Sequence, residues 1–105
     1  MTRLLHLIEP ADWQAAQPAG EVRPPSLDDV GFVHLSTPEQ VHLPAQRLFP
    51  GRTDVLLLVV DPALLEGEIR WEPGHPDDPP ELRFPHLYGP LPVAAVVAAV
   101  PYVPR

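Results

Sequence analysis

The sequence predicts an α+β fold in which short helices flank a small curved sheet, mixed or mostly antiparallel. Three observations carry that expectation. Short apolar runs of strand length recur along the chain, separated by polar segments that bear proline. Helix starts lie between these runs, but without the regular long crossovers that a parallel doubly wound sheet needs. Proline supplies 17 of 105 residues, several times its usual share of about 5%, while Leu and Val remain abundant; the prolines therefore punctuate short elements and stiffen loops. A single domain over residues 1–105 is expected, with no internal repeat.

Arg3 to Ile8 reads as a first strand, with Leu4, His6 and Ile8 on one face and Leu5 and Leu7 on the other. Pro10 suits the first turn of a helix, which Ala11 to Gln17 continue until Pro18 and Gly20 end it; Trp13 is its expected anchor on the core. Glu21 to Val30 is polar and broken by proline, and reads as a surface loop or irregular edge. Gly31 to Ser36 is the second clear strand, with Phe32, His34 and Ser36 on one face. Thr37 then stands as an N-cap with Pro38 behind it and Gln40 closing a capping box, so a helix runs to about Leu48, kinked or split at Pro44.

Val55 to Val60 is six aliphatics in a row, the mark of a central strand covered on both faces. Asp61-Pro62 caps one helical turn through Leu65, Ile69 to Glu72 reads as a strand, and Gly74 to Pro80 as a loop. In Phe84 to Tyr88 the alternation puts Phe84, His86 and Tyr88 on one face and Pro85 and Leu87 on the other. Pro85 has no N–H for a ladder, which predicts an edge, an irregular strand or the end of a sheet. Gly89-Pro90 turns the chain, and after a turn near Val93 the last strand is placed from Val96 to Val103.

Bulk composition excludes several chemistries. The chain has no cysteine, which removes disulfides, thiolate metal sites and a cysteine nucleophile. It has no lysine either, so Schiff-base chemistry and a phosphate-loop lysine are out. A formal charge of -7 disfavours a broad nucleic-acid surface, because a duplex binder needs a basic stripe to displace counterions. No apolar run approaches the roughly 20 residues of a membrane helix and no leader resembles a secretion signal, so a cytoplasmic protein is expected.

His6, His34 and His86 each sit in a strand where an aliphatic would be cheaper to bury. Singly, each reads as a hydrogen-bonded structural histidine. Three in one small sheet point instead to acid, base or ligand-orienting groups near neutral pH. Ser36 has no nucleophile elbow around it and alone reads as a polar residue at a helix start. Tyr88 is a candidate to stack on or hydrogen-bond a ligand, or a half-buried aromatic with a wet tip. Glu72, beside Trp71, is expected to gain a raised pKa by burial, to steady a cationic transition state, or to serve as a surface partner of Arg70 or Arg83. Three imidazoles and a carboxylate would also suit zinc, although no His-x-His or His-x₃-His pair is present.

Gly31-Phe32-Val33-His34-Leu35-Ser36, Gln40, the aliphatic strand ending at Asp61, Trp71-Glu72 and Phe84-Pro85-His86-Leu87-Tyr88-Gly89-Pro90-Leu91 together resemble the small bacterial domain-of-unknown-function 952 family, over nearly the whole chain. That resemblance implies an ADP-ribosyltransferase-like fold. Val33-His34-Leu35-Ser36 is similar to the Val-His-Leu-Ser strand of the RNA 2′-phosphotransferases, and His6 stands where those enzymes have a first-strand histidine, with Leu7-Ile8 in place of their Gly-Thr. The resemblance implies an enzyme or degenerate enzyme handling NAD, ADP-ribose or a related nucleotide. His6 and His34 would contact the ribose or phosphates, and Ser36 and Tyr88 would line the pocket with His86. Glu72 or Glu81 would stand for a late catalytic glutamate. The alternative is a non-catalytic module that binds a small ligand or a partner protein through the same cleft.

Overall fold

The computed structural model describes residues 3–103. Its strands are β1 Leu4–Ile8, β2 Glu21–Val22, β3 Val33–His34, β4 Leu56–Val60, β5 Glu68–Pro73, β6 Arg83–Tyr88, β7 Leu91–Pro92 and β8 Val96–Pro101. The helices are α1 Pro10–Ala19, α2 Pro25–Asp29 and α3 His42–Leu48, with single 3₁₀ turns at Pro62–Leu64 and Val93–Ala95. The expected mix of antiparallel strands and short helices is present. The single curved sheet is not: the strands form two three-stranded sheets, ordered β1-β4-β8 and β3-β6-β5, and a two-stranded ribbon of β2 with β7. All the pairings are antiparallel.

The two larger sheets meet at one point. Leu35 donates its N–H to the Pro85 carbonyl, in line with β6. Ser36, one residue on, faces the other way and exchanges both backbone hydrogen bonds with Leu5 of β1, at 2.7 and 2.8 Å. Successive residues of an extended chain direct their backbone groups to opposite sides, so this one segment is shared by both sheets. The strand expected over Gly31 to Ser36 therefore pairs with β6 only at its middle before crossing to β1.

The same geometry explains why Pro85 stands in a central strand, between β3 and β5, and not at an edge as expected. Its carbonyl side faces Leu35, so the donor that proline lacks is the one that would return to Leu35 where the β3 ladder ends. The β5 side of the ladder, on which Trp71 opposes Pro85, is left intact.

The core lies between the inner faces. Leu4 and Ile8 of β1 and Leu58 and Val60 of β4 pack with Val33, Leu35 and Leu87 from the second sheet, closed by Val22, Leu91 and Ala16. Trp13 packs against this cluster as expected. β4 is a central strand, as expected, and its Leu58 and Val60 are inaccessible. On the opposite face Val55, just before the strand, is buried while Leu57 and Val59 are partly exposed, so the second face of the six aliphatics is covered only in part.

Local chemistry sets the helices. Pro10 opens α1 and Gly20, at φ 78°, closes it through its N–H to the Ala16 carbonyl; the helix runs past Pro18, which occupies the last turn. The stretch 21–30, expected as loop or irregular edge, forms β2 and the short α2. Gln40 accepts from the Thr37 N–H at 3.1 Å, as a capping box requires, but the helix starts only at His42. Pro44 consequently falls in the first turn of α3, where its missing N–H is no loss and no kink is needed. Asp61 caps its 3₁₀ turn by accepting from Ala63. Among the described residues, no helix is long and apolar enough to cross a membrane.

Gly67 precedes β5 where its backbone approaches Tyr88: a Cβ there would stand 2.8 Å from the Tyr88 carbonyl oxygen, an atom of a fixed strand. Gly67→Ala is expected to lower the unfolding free energy by about 1–3 kcal/mol, the range for overpacking, measured by urea denaturation. A midpoint equal to that of the unsubstituted protein would contradict this close approach.

Candidate functional site

His6 lies between Leu4 and Ile8 on the inner face of β1 and is buried. Its Nδ1 is 2.7 Å from the His34 carbonyl oxygen. A carbonyl can only accept, so Nδ1 carries the proton and Nε2 is the lone-pair nitrogen of the neutral ring. Burial pushes His6 below the ordinary histidine pKa, against the opposing pull of this hydrogen bond.

His34 is the direct cross-strand partner of His86. Their rings meet edge-on at 5.4 Å, and Phe32 completes the group: it stacks on His86 at 3.9 Å with planes 9° apart, and meets His34 edge-on at 4.9 Å. Gly31, at φ 89°, takes the left-handed turn that starts this strand, and Ser26 Oγ donates to the Phe32 carbonyl at 2.8 Å. His34 is pushed below the ordinary value by burial first, then by the neighbouring His86 and His6.

His86 is 1% exposed. Its Nδ1 is 3.0 Å from Glu72 Oε1, and the same oxygen accepts from the Tyr88 hydroxyl at 2.6 Å. The Arg70 guanidinium lies 4.4 Å from the centre of the Tyr88 ring. The Tyr88 hydroxyl first, and then His86, hold Glu72 below the ordinary carboxylate range, and the contact with Glu72 raises Tyr88. Glu72 was expected to rise by burial; it falls, because its side chain keeps 36% of its exposure and gains two donors. Its alternative role as a surface partner also fails: Arg70 pairs with Glu68, and Arg83 Nε donates to the Pro80 carbonyl.

A cleft of about 610 Å³ opens beside this group. His6, His34 and Ser36 contribute to its floor, and Ile8, Val22, Pro24, Leu48 and Phe49 supply apolar wall. Glu9, Asp12, Glu21 and Arg23 stand in its lining too. Two of these acids are paired, Glu9 with Arg52 at 2.9 Å and Glu21 with Arg23 at 3.1 Å. Apolar walls with a few convergent polar groups, at this volume, are the usual form of a small-molecule site. Among the described residues, no three His, Asp or Glu side chains are arranged to hold a metal ion, so the zinc reading of the histidines has no ligand set behind it.

The family model described as protein of unknown function (DUF952) matches residues 7–99. The chain belongs to the DUF952 family. The crystal structure of protein CC0527 from Caulobacter crescentus is similar to this DUF952 chain at 32% identity and a TM-score of 0.80, covering 95% of this chain and 85% of that one. The solution NMR structure of CC0527 is similar at 34% identity and a TM-score of 0.75, covering 95% and 84%. No curated protein matches the chain.

Of the residues singled out in this DUF952 sequence, His6, His34 and Ser36 border the cleft, whereas Glu72, His86 and Tyr88 form a hydrogen-bonded group next to His34 that does not line it. Glu81 is exposed and borders neither. Sequence reasoning missed Arg23, Asp12 and Phe49 in the lining, and the bracing role of Phe32. Phe32 was detectable by its alternation with His34; the others lie in helices and a proline-rich turn with no periodic signal.

The histidines predict a pH profile for stability. Below the ordinary histidine value of 6.5 the unfolded chain takes up protons that folded His6 and His34 resist, so the unfolding free energy decreases as pH falls through that value; above it the two add no slope. Glu72 contributes fully above the ordinary value of 4.5, and its share is lost as pH falls towards its lower folded value. Urea midpoints are therefore expected to drop between neutral pH and about pH 5, and His6→Asn should flatten the slope. A pH-independent midpoint over that interval would show that the buried imidazoles protonate freely.

Proposed function

We propose that the cleft binds a ribosyl compound of the NAD or ADP-ribose class, in keeping with the ADP-ribosyltransferase-like fold that the local resemblances imply. The observation that carries this reading is the convergence of His6, His34 and Ser36 on the floor of an apolar-walled cleft. A sugar diol needs both donors and acceptors within a short span; the lone pair of His6 Nε2, the Ser36 hydroxyl and the His34 ring supply them. The walls around Pro24, Leu48 and Phe49 suit a planar base, and Arg23, which gives only Nη1 to Glu21, is the cation in the lining that can turn its other nitrogens to a phosphate.

Turnover at the ribose would break the bond to the anomeric carbon and leave positive charge there, which a carboxylate would stabilise. Glu72 does not line the cleft, and Glu9 and Glu21 are held in ion pairs, so Asp12 is the lining carboxylate with no ion pair among the described residues. This arrangement favours binding without turnover as the second reading.

Isothermal titration with ADP-ribose and NAD is expected to give saturable binding that weakens at least about tenfold in His34→Ala, the cost of one lost polar contact in a desolvated site. Arg23→Ala should weaken ADP-ribose more than adenosine. Nicotinamide release from NAD, followed by chromatography, separates the two readings: steady release makes the chain a glycohydrolase or transferase, and binding without release makes it a binding module. Absence of binding by every nucleotide tested would remove the ribosyl assignment.

A further inference from the structure

We propose that Glu72, His86 and Phe32 act as one positioning unit for His34, so that a carboxylate outside the cleft governs the orientation of the imidazole on its floor. The effect on ligand affinity rests on the ribosyl-ligand reading; the effect on His34 itself does not.

His86 occupies a fully buried place in the middle of β6, where an aliphatic side chain would satisfy packing. One ring nitrogen is bonded to Glu72, while the other, Nε2, is buried with no hydrogen-bond partner among the described residues. Leaving a buried nitrogen unpaired is costly, which argues that the ring serves more than packing. The carboxylate only accepts, so Nδ1 is fixed as the nitrogen that carries the proton of the bond.

The ring is held on two sides. Glu72 Oε1 is itself fixed by the Tyr88 hydroxyl, and Phe32 clamps the plane of His86 by stacking at 3.9 Å. His34 has no side-chain hydrogen bond among the described residues, and its edge contacts with Phe32 and His86 set the position of its ring. The carboxylate that fixes the His86 ring therefore also fixes the edge against which its cross-strand partner His34 rests.

Other groups surround His34: His6 of β1, bonded to its carbonyl, Asp12 of α1 and Arg23 across the cleft, and Arg70 of β5, opposite His86 and over Tyr88. None of these is hydrogen-bonded to the His86 ring. Glu72 is thus the charged group with a direct hold on the ring beside His34.

Ring-nitrogen NMR of the full chain tests this. Long-range ¹⁵N–¹H correlation of the unsubstituted protein is expected to show His86 protonated at Nδ1, and a neutral His86 carrying its proton on Nε2 would overturn the proposal without any variant. In Glu72→Gln an amide that can donate as well as accept replaces the carboxylate, so the His86 tautomer is no longer fixed and the hold of that ring on His34 loosens. The His34 ring resonances should then shift and its NOE contacts to Phe32 weaken; His34 resonances identical to those of the unsubstituted protein overturn the proposal. ADP-ribose affinity measured in the same two proteins separates this from the ligand reading. Binding to the unsubstituted protein with an unmoved His34 would leave the ligand reading standing and the positioning role refuted, and a shifted His34 without binding would do the reverse.

Discussion

The change of backbone direction between Leu35 and Ser36 is the constraint on which the rest of the molecule depends. Leu35 bonds to β6 and Ser36 to β1, so six strands in two sheets are tied through two adjacent residues. Because side chains alternate with the backbone, the same segment sends Val33 and Leu35 into the core and leaves His34 and Ser36 to the cleft. Packing and site are therefore one decision: the register that buries Leu35 is the register that presents His34.

This economy makes the molecule carry buried polar groups in its sheets. His6 sits between two core residues of β1 and is tolerated because its Nδ1–H finds the His34 carbonyl. His86 is tolerated because Glu72 accepts from it and Phe32 covers it. Each compensation comes from another part of the chain, so the histidines link β1, β3, β5 and β6. Apolar residues at the same places would simplify folding, and their absence is the physical reason for looking to ligand chemistry at this corner of the fold.

Much of this was legible in the sequence. The two-residue alternation of Phe32, His34 and Ser36, and of Phe84, His86 and Tyr88, assigns those side chains to common faces, and the structure pairs His34 with His86. Pro10 and Gly20 bound α1 correctly, and Asp61 caps the turn it was expected to cap. What the sequence hid were pairings fixed by distant residues. The alternation could not show that the β3 ladder stops after two residues, Pro85 is admitted to a central strand by the end of that ladder, and the donors that lower Glu72 lie 14 and 16 residues downstream. Pro24-Pro25 looked like loop because proline also starts helices, and there it opens α2.

The distances along the chain between the cleft residues and those that hold them have a consequence for how the protein can be cut or assembled. The carbonyl that holds His6 is 28 residues away, and the ring beside His34 enters only with β6, near the end of the chain. No segment shorter than His6 to Tyr88 contains both the cleft residues and the group that holds His34, although the lining itself runs only from His6 to Phe49. A truncation before β6 would therefore take away the hold on His34 while leaving every lining residue in the chain.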